Sequence, residues 1–329
     1  MTRIGFVGCG RHATRMLYPS LSLLDVELVA VASLVPDEAQ ATARRFGAAR
    51  WYVGHRALLD EEALDAVLVA LPPPSYAEVI GDVLDRGLPC WAEKPAAASA
   101  AEAEELAVRA SEAGIPLCVG FMKRFAPAYT LARAAVEEPS FGAPAFFEGR
   151  FSMGPGLYRD DYTFLVDNSI HMVDLARWFM GEVEDVTVER ATGPDGRVAY
   201  AVLLRFVSGA VGTLHLSTMR SWQVDNERVE ITGAGPAVIV ENLVRVVGRP
   251  AQGGPGTLWE PNLPVPTDAN RLLSLAGYVP ELEHFLAVVR GEAEPRATIA
   301  DAAAALRLVD RIYDAADVGP RPERAGAAW

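Results

Sequence analysis

Short, almost wholly apolar runs recur through the first third of the chain, each followed by a stretch whose apolar positions return every three or four residues. The runs at 3–7, 26–32, 66–71, 89–92 and 116–120 read as strands, and the stretches at 11–24, 36–46, 75–86 and 99–113 as helices. Runs 26–32 and 66–71 lack the polar alternation of a half-exposed strand, as burial on both faces requires. Repeated strand–helix units predict a doubly wound parallel sheet with right-handed crossovers. After Phe121 the rhythm changes. Helices are predicted at 127–137 and 166–180, the second closed by Gly181. Strands are predicted at 145–152, 183–191, 198–207, 210–217, 228–232 and 237–241, with turn chemistry such as Pro194-Asp195-Gly196 and Ser208-Gly209 between them. Strands that follow one another without helices imply an antiparallel sheet. Residues 248–267, rich in Gly and Pro, read as a surface loop, and helices at 279–290 and 299–315 finish the chain. The fold class is therefore α/β followed by α+β.

Length and charge narrow this picture. A chain of 329 residues exceeds one ordinary core and fits two domains. With 43 acidic and 30 basic residues the net charge is −13, which argues against non-specific grip on nucleic acid or an anionic membrane. No apolar run is long enough to cross a bilayer, and the N-terminus does not read as a signal peptide. Cys9, Cys90 and Cys118 are scattered without metal spacing and fall in or beside strands, so they are expected as unpaired thiols in a reducing cytoplasm. The histidines do not cluster at ligand spacing, and no metal site is expected. Neither a G-x-S-x-G elbow nor a Walker loop is present.

One turn carries chemistry of its own. Gly8-Cys9-Gly10-Arg11-His12-Ala13 follows the first strand and opens the first helix, the G-x-G-x-x-G/A order of a Rossmann dinucleotide site. The first glycine permits the tight turn, the second lets the backbone approach a pyrophosphate, and the small third residue lets helix and strand pack. The helix N-terminus offers N–H groups and a favourable dipole to the anion. At the end of the second strand Ala32-Ser33-Leu34 carries no carboxylate to hold a ribose 2′-hydroxyl, so the reading leans to NADP over NAD.

Three further motifs appear in order. Glu93-Lys94-Pro95 follows the strand at 89–92, Gly120-Phe121-Met122-Lys123-Arg124-Phe125 ends the first domain, and Asp167-Asn168-Ser169-Ile170-His171 lies on the first long helix of the second. Together with the glycine turn and Ala70-Leu71-Pro72-Pro73-Pro74, they resemble the glucose–fructose oxidoreductase, inositol dehydrogenase and rhizopine catabolism (Gfo/Idh/MocA) family over nearly the whole chain. The resemblance implies an NAD(P)-binding Rossmann domain over residues 1–121. Residues 122–329 would then form a substrate-binding and oligomerisation domain with a large open, mainly antiparallel sheet, and the last helices could pack back on the first domain. It implies a hydride transfer involving a secondary alcohol or ketone of a sugar, cyclitol or related polyol, in a homodimer or homotetramer.

By motif, the catalytic residues implied are Lys94, Asp167 and His171, with Pro95 often preceded by a cis bond in the family. Their chemistry agrees. Asp167 and His171 stand four apart and share a helix face. The carboxylate raises the imidazole's proton affinity and orients its ring, so His171 is the candidate general base in oxidation and acid in reduction. Lys94 would stabilise alkoxide character. Cofactor contacts are expected from Gly8, Cys9, Gly10, Arg11, His12, Ser33, Leu34, Leu71, Pro72, Pro74, Glu93 and Lys94. Substrate contacts are expected from Lys123, Arg124, Arg150, Tyr158, Asn168 and Trp222. Two departures stand out. Tyr158 to Val166 is bulky and charged where many relatives are glycine-rich, and Tyr76 replaces a histidine frequent after the proline turn. Two alternatives on the same scaffold are an NAD-dependent glycosidase and a non-catalytic nucleotide-sensing regulator. Retention of Lys94, Asp167 and His171 together weighs against the second.

Overall fold

The computed structural model describes residues 1–154, 158–221, 226–265 and 267–322. Among these, two compact units separate, Met1–Met122 with Gly277–Ala304 and Lys123–Ala276 with Ala305–Pro322. The first holds β1 (Thr2–Val7), β2 (Val26–Ser33), β3 (Arg50–Val53), β4 (Ala66–Val69), β5 (Cys90–Glu93) and β6 (Leu117–Gly120) in one parallel sheet, ordered β3-β2-β1-β4-β5-β6. Crossovers run outward in both directions from the middle of this order. The ends of β1 and β4 therefore flank a topological switch point, where open α/β sheets bind ligands. Strands β4, β5 and β6 are buried at every position, the reason their sequences are continuously apolar.

The connecting helices are α1 (Tyr18–Leu21), α2 (Pro36–Phe46), α3 (His55–Glu61), α4 (Tyr76–Leu84) and α5 (Ala100–Ala113). Helix α2 begins with proline, keeps Asp37 and Glu38 in its first turn and Arg44 and Arg45 in its last, and ends at Gly47 in the left-handed region. Helix α5 is capped reciprocally: the Ser99 hydroxyl accepts from the Glu102 N–H, and the Glu102 carboxylate accepts from the Ala98 N–H. A π-helical turn at Ala13–Leu17 precedes α1, where the sequence predicted plain α-helix. Strand β3 and helix α3 were not predicted; β3 is a four-residue edge strand that buries no residue and exposes Arg50, Trp51 and Val53. The helix Tyr278–Val289 belongs to this unit, and its Leu282, Phe285 and Leu286 join Ile4, Phe6, Leu17 and Tyr18 in one core. Burial of each such side chain stabilises by about 1.5–3 kcal/mol.

The second unit is built on β7 (Phe146–Ser152), β8 (Val183–Thr192), β9 (Val198–Phe206), β10 (Val211–Ser217), β11 (Glu227–Thr232), β12 (Ala237–Glu241), β13 (Arg245–Arg249) and β14 (Thr257–Trp259), ordered β14-β13-β12-β11-β7-β10-β9-β8. The sheet is mainly antiparallel, but β10 runs parallel to β7, a pairing that unbroken strand succession does not reveal. Strands β13 and β14 occupy part of the predicted loop. They are short, with Val246 their one buried residue, and a Cβ on Gly248 would fall 2.4 Å from the Thr257 hydroxyl oxygen, so the glycine permits their close pairing.

Helices α6 (Pro127–Glu137), α7 (Asp161–Phe164) and α8 (Ile170–Met180) are in this unit; α6 packs on β12 and β13 and α8 on β7. A Cβ on Gly149 would sit 2.8 Å from Met172 Sδ, which fixes the helix-covered face as the one Gly149 shares with Phe147 and Phe151. On β9 the residues Val198, Tyr200, Val202, Leu204 and Phe206 are buried while Ala201, Leu203 and Arg205 point to the opposite, open face. The β8 edge is blunted by Arg311, whose guanidinium donates to the carbonyls of Val183 and Glu184 at 2.9 Å each.

Candidate active site

In the first unit the glycine turn is made largely of main chain. Gly8 has φ +119°, and a Cβ there would fall 2.1 Å from the Ala70 carbonyl oxygen, so the turn and the β4 exit are in backbone contact. Gly10 is different: its φ needs no glycine and nothing lies within 4 Å of a Cβ built on it. The space beside Gly10 is what a pyrophosphate would fill, so these residues fit a dinucleotide. The Cys9 thiol turns inward, 3.7 Å from the Ala32 carbonyl, which leaves only its main chain for a phosphate. Burial pushes this thiol up, as it does those of Cys90 and Cys118, the last to about 12, and all three are buried and form no disulfide. The Arg11 side chain is exposed.

His12 Nε2 lies 3.5 Å from Glu93 Oε2. A Cβ on Gly120 would sit 2.9 Å from the same carboxylate, so Gly120 makes room for Glu93. Tyr278, which no motif announced, places its ring 5.7 Å from that of His12. Its hydroxyl is pushed up by burial first, and then by the charges of Glu93 and Glu281. Next along β5, Lys94 is half-buried and its bond to Pro95 is cis, as the resemblance implied. Leu71, Pro72 and Pro74 follow β4, and the Leu71 N–H donates to the Tyr76 hydroxyl at 3.2 Å. At the end of β2 the Ser33 hydroxyl bonds a carboxylate oxygen of Glu38 at 3.3 Å, and Leu34 is 81 % exposed. The sequence reading missed this carboxylate because Glu38 sits in α2 rather than at the strand end.

In the second unit Asp167 lies in a π-helical turn, Leu165–Ser169, and His171 in the first turn of α8 beyond it. Both are buried. Such widened turns concentrate at functional sites. Tyr158 and Asn168 come together here, the Asn168 side-chain amide donating to the Tyr158 hydroxyl. That hydroxyl is pushed up by burial and then by the Asp167 charge.

Lys123, Arg124 and Arg150 are not placed with these groups. Lys123 is buried in an ion pair with Glu227, which also accepts from the Tyr129 hydroxyl at 2.6 Å. Arg124 grips Asp174 through two bonds of 2.5 and 2.8 Å, also buried. Both charges are neutralised inside the unit, so neither is offered to a substrate, contrary to expectation. Asp174 pairs with Arg124, and Arg177 pairs with Glu182. Arg150 alternates with Gly149 on β7 and so lies on the sheet's open face, in register with His215 and Arg228, opposite the face that α8 covers. Trp222 lies outside the described residues.

Among the described residues, only His55, Glu78 and Asp82 bring three ligand-type atoms within 4.8 Å of one another, and the Arg56 guanidinium already bonds both carboxylates. No described helix is long and apolar enough to cross a membrane.

A glycine turn at the switch point of a parallel sheet, with room for a pyrophosphate beside Gly10, defines a nucleotide-binding Rossmann protein. Residues 2–121 match the oxidoreductase family described as having an NAD-binding Rossmann fold, and residues 129–236 match the GFO/IDH/MocA C-terminal domain. An inositol 2-dehydrogenase of Rubrobacter xylanophilus is 30 % identical over 260 residues, 75 % of this chain and 73 % of the relative. A scyllo-inositol 2-dehydrogenase (NAD(+)) of Bacillus subtilis is 26 % identical over 91 % of this chain and 90 % of its own. The solved structure of a dehydrogenase from Chromobacterium violaceum superposes with a TM-score of 0.86 at 24 % identity, over 97 % of this chain and 96 % of the other. The chain belongs to the GFO/IDH/MocA family of oxidoreductases.

Proposed function

We propose that the chain is an NAD-dependent dehydrogenase acting on a secondary alcohol or ketone of a sugar, cyclitol or related polyol. The observation that carries this reading is the combination of a fitting pyrophosphate cradle with Lys94 and the buried pair Asp167 and His171. The inositol dehydrogenases among its relatives support the polyol class. Residues 1–122 with 277–304 take the cofactor role, and residues 123–276 with 305–322 the substrate role. When bound, the nicotinamide supplies or accepts the hydride. The Gly8–Ala13 turn holds the pyrophosphate by main-chain N–H groups. Leu71, Pro72, Pro74, His12 and Glu93 border the cofactor. The Lys94 ammonium fixes the substrate oxygen and stabilises its negative charge. His171 takes the hydroxyl proton in oxidation and returns it in reduction, while Asp167 orients the imidazole and favours its charged form. Tyr158 and Asn168 bind as a joined pair, presenting substrate hydroxyls with one fixed polar group.

The cofactor preference proposed is NAD, the reverse of the sequence expectation. The Ser33 hydroxyl is engaged by Glu38, whose carboxylate would repel a 2′-phosphate, and Leu34 brings no cation. A homodimer or homotetramer through the open sheet face is also proposed. That face mixes Arg228, Glu148 and Glu230 ion pairs with exposed Leu203 and Leu258, a pattern suited to a symmetric contact. Buried thiols that form no disulfide favour a reducing cytoplasm.

The test is a screen of sugars, inositols and amino sugars with each nicotinamide cofactor, repeated on Lys94→Ala and His171→Ala. Each variant is expected to lose about 10²–10⁴ in kcat. Substrate-dependent change in nicotinamide absorbance surviving in both would remove the catalytic assignment. Free sugar released without net cofactor turnover would identify a hydrolase instead.

A further inference from the structure

Leaving β4, the chain runs through Ala70-Leu71-Pro72-Pro73-Pro74 before α4 begins. Its start is locked to the glycine turn. The Ala70 N–H donates to the Val7 carbonyl at 2.9 Å, and the Ala70 carbonyl fills the space that a side chain at Gly8 would need. Past Ala70 the sheet ladder ends. Pro72, Pro73 and Pro74 have no N–H, so Leu71 and Ser75 carry the only main-chain donors of the stretch. Ser75 closes a local turn onto the Pro72 carbonyl at 3.0 Å, which leaves the Leu71 N–H as the one that can tie the proline turn to something outside itself. It goes to the Tyr76 hydroxyl oxygen at 3.2 Å. Tyr76 is 1 % exposed, its ring set in the core side of α4. A phenol oxygen held by a buried ring is a stiff anchor, because only two side-chain torsions position it.

We infer that Tyr76 is a positioning residue for the cofactor. Its hydroxyl oxygen holds the Leu71 amide and thereby sets the stand-off of the proline turn from the Gly8–Ala13 turn. A Phe at this position keeps the ring and its packing but leaves the Leu71 N–H without that acceptor, so the turn relaxes outward while the core stays intact. The residue that stands where relatives often carry histidine thus works on the main chain. The inference rests on the reading of these turns as a dinucleotide cradle.

The test compares the wild-type chain with Tyr76→Phe. Hydrogen exchange by mass spectrometry is unusually direct here, because three of the residues from 71 to 75 are prolines and carry no amide. The wild-type Leu71 amide should be protected without cofactor, and should exchange about tenfold faster in Tyr76→Phe. NADH titration should show Kd raised about threefold to tenfold, with kcat at saturating cofactor within about twofold of wild type. A role in packing alone would lower the melting temperature and leave the Kd of the folded protein unchanged, which overturns the inference. A wild-type Leu71 amide exchanging at the rate of an open chain overturns it without recourse to any variant. If the wild type binds NADH and Tyr76→Phe binds it equally well, only the role of Tyr76 falls. If the wild type binds neither NADH nor NADPH, the cradle reading falls and takes this role with it.

Discussion

The two units present their chemistry in different materials. In the first, both faces of the sheet are covered, so the functional surface emerges where the strands end, and most of it is main chain: the Gly8–Ala13 turn, the proline turn after β4, the cis bond at Lys94. In the second, the sheet has one open face and carries no candidate catalytic group. Asp167 and His171 sit on a helix instead, and Arg124, itself expected to bind substrate, is tied to that helix through Asp174. Main-chain sites tolerate almost any side chain that does not intrude. Side-chain sites depend on charges paired across long stretches of chain.

That contrast can be broken by substitution. The largest effect is expected at Arg124→Met, which leaves Asp174 buried without its guanidinium partner. It should cost about 3–5 kcal/mol in denaturant unfolding. Pairing it with Asp174→Leu should recover most of the loss; a double variant as unstable as the single would mean that Arg124 is held by something other than charge. Smaller, and in the first unit, is Gly8→Ala. Strain at φ +119° and the collision with Ala70 should destabilise by about 1–3 kcal/mol or more. Gly10→Ala meets no atom and should leave the melting temperature unchanged while weakening NADH binding. Equal loss of stability in the two glycine variants would erase the distinction between a fold glycine and a ligand glycine.

The smallest effect is expected at Asp160, the N-cap of α7, which accepts from the Thr163 N–H and hydroxyl at 2.7 Å each. Burial alone would raise this carboxyl, but the Thr163 bonds and Arg159 outweigh it and hold it below its ordinary value. The folded state therefore binds fewer protons here than the unfolded chain. The stabilisation is present above the unfolded value near pH 4 and is lost as pH falls through the lower folded one. Asp160→Ala should cost about 1 kcal/mol at pH 7, and the gap between the two melting curves should close in acid. A gap independent of pH would assign the effect to packing.

The same contrast explains what could be read in advance. The glycine turn, Glu93-Lys94-Pro95 and Asp167 with His171 are local patterns, and local patterns survive in a sequence. Lys123 and Arg124 misled because their partners are remote: Glu227 lies 104 positions from Lys123, and Asp174 lies 50 from Arg124. A basic pair beside a site motif looks the same whether it faces ligand or core. Arg150 misled for another reason, since a strand shows its alternation but not which face the helices will cover. Glu38 was passed over because it reaches Ser33 from the first turn of a helix. The edge strand β3 and the outlying strands β13 and β14 were passed over because they are short and among them only Val246 is buried.

A π turn differs from α-helix by one residue of extra circumference, so Leu165–Ser169 amounts to an insertion that the helix has absorbed. Losing a single residue there would let the turn close as plain α-helix with its flanking segments still in phase, so the change would fall on where Asp167 points. The helix would continue without its bulge, and the present setting of Asp167 ahead of His171, the proposed acid–base pair, would be redrawn.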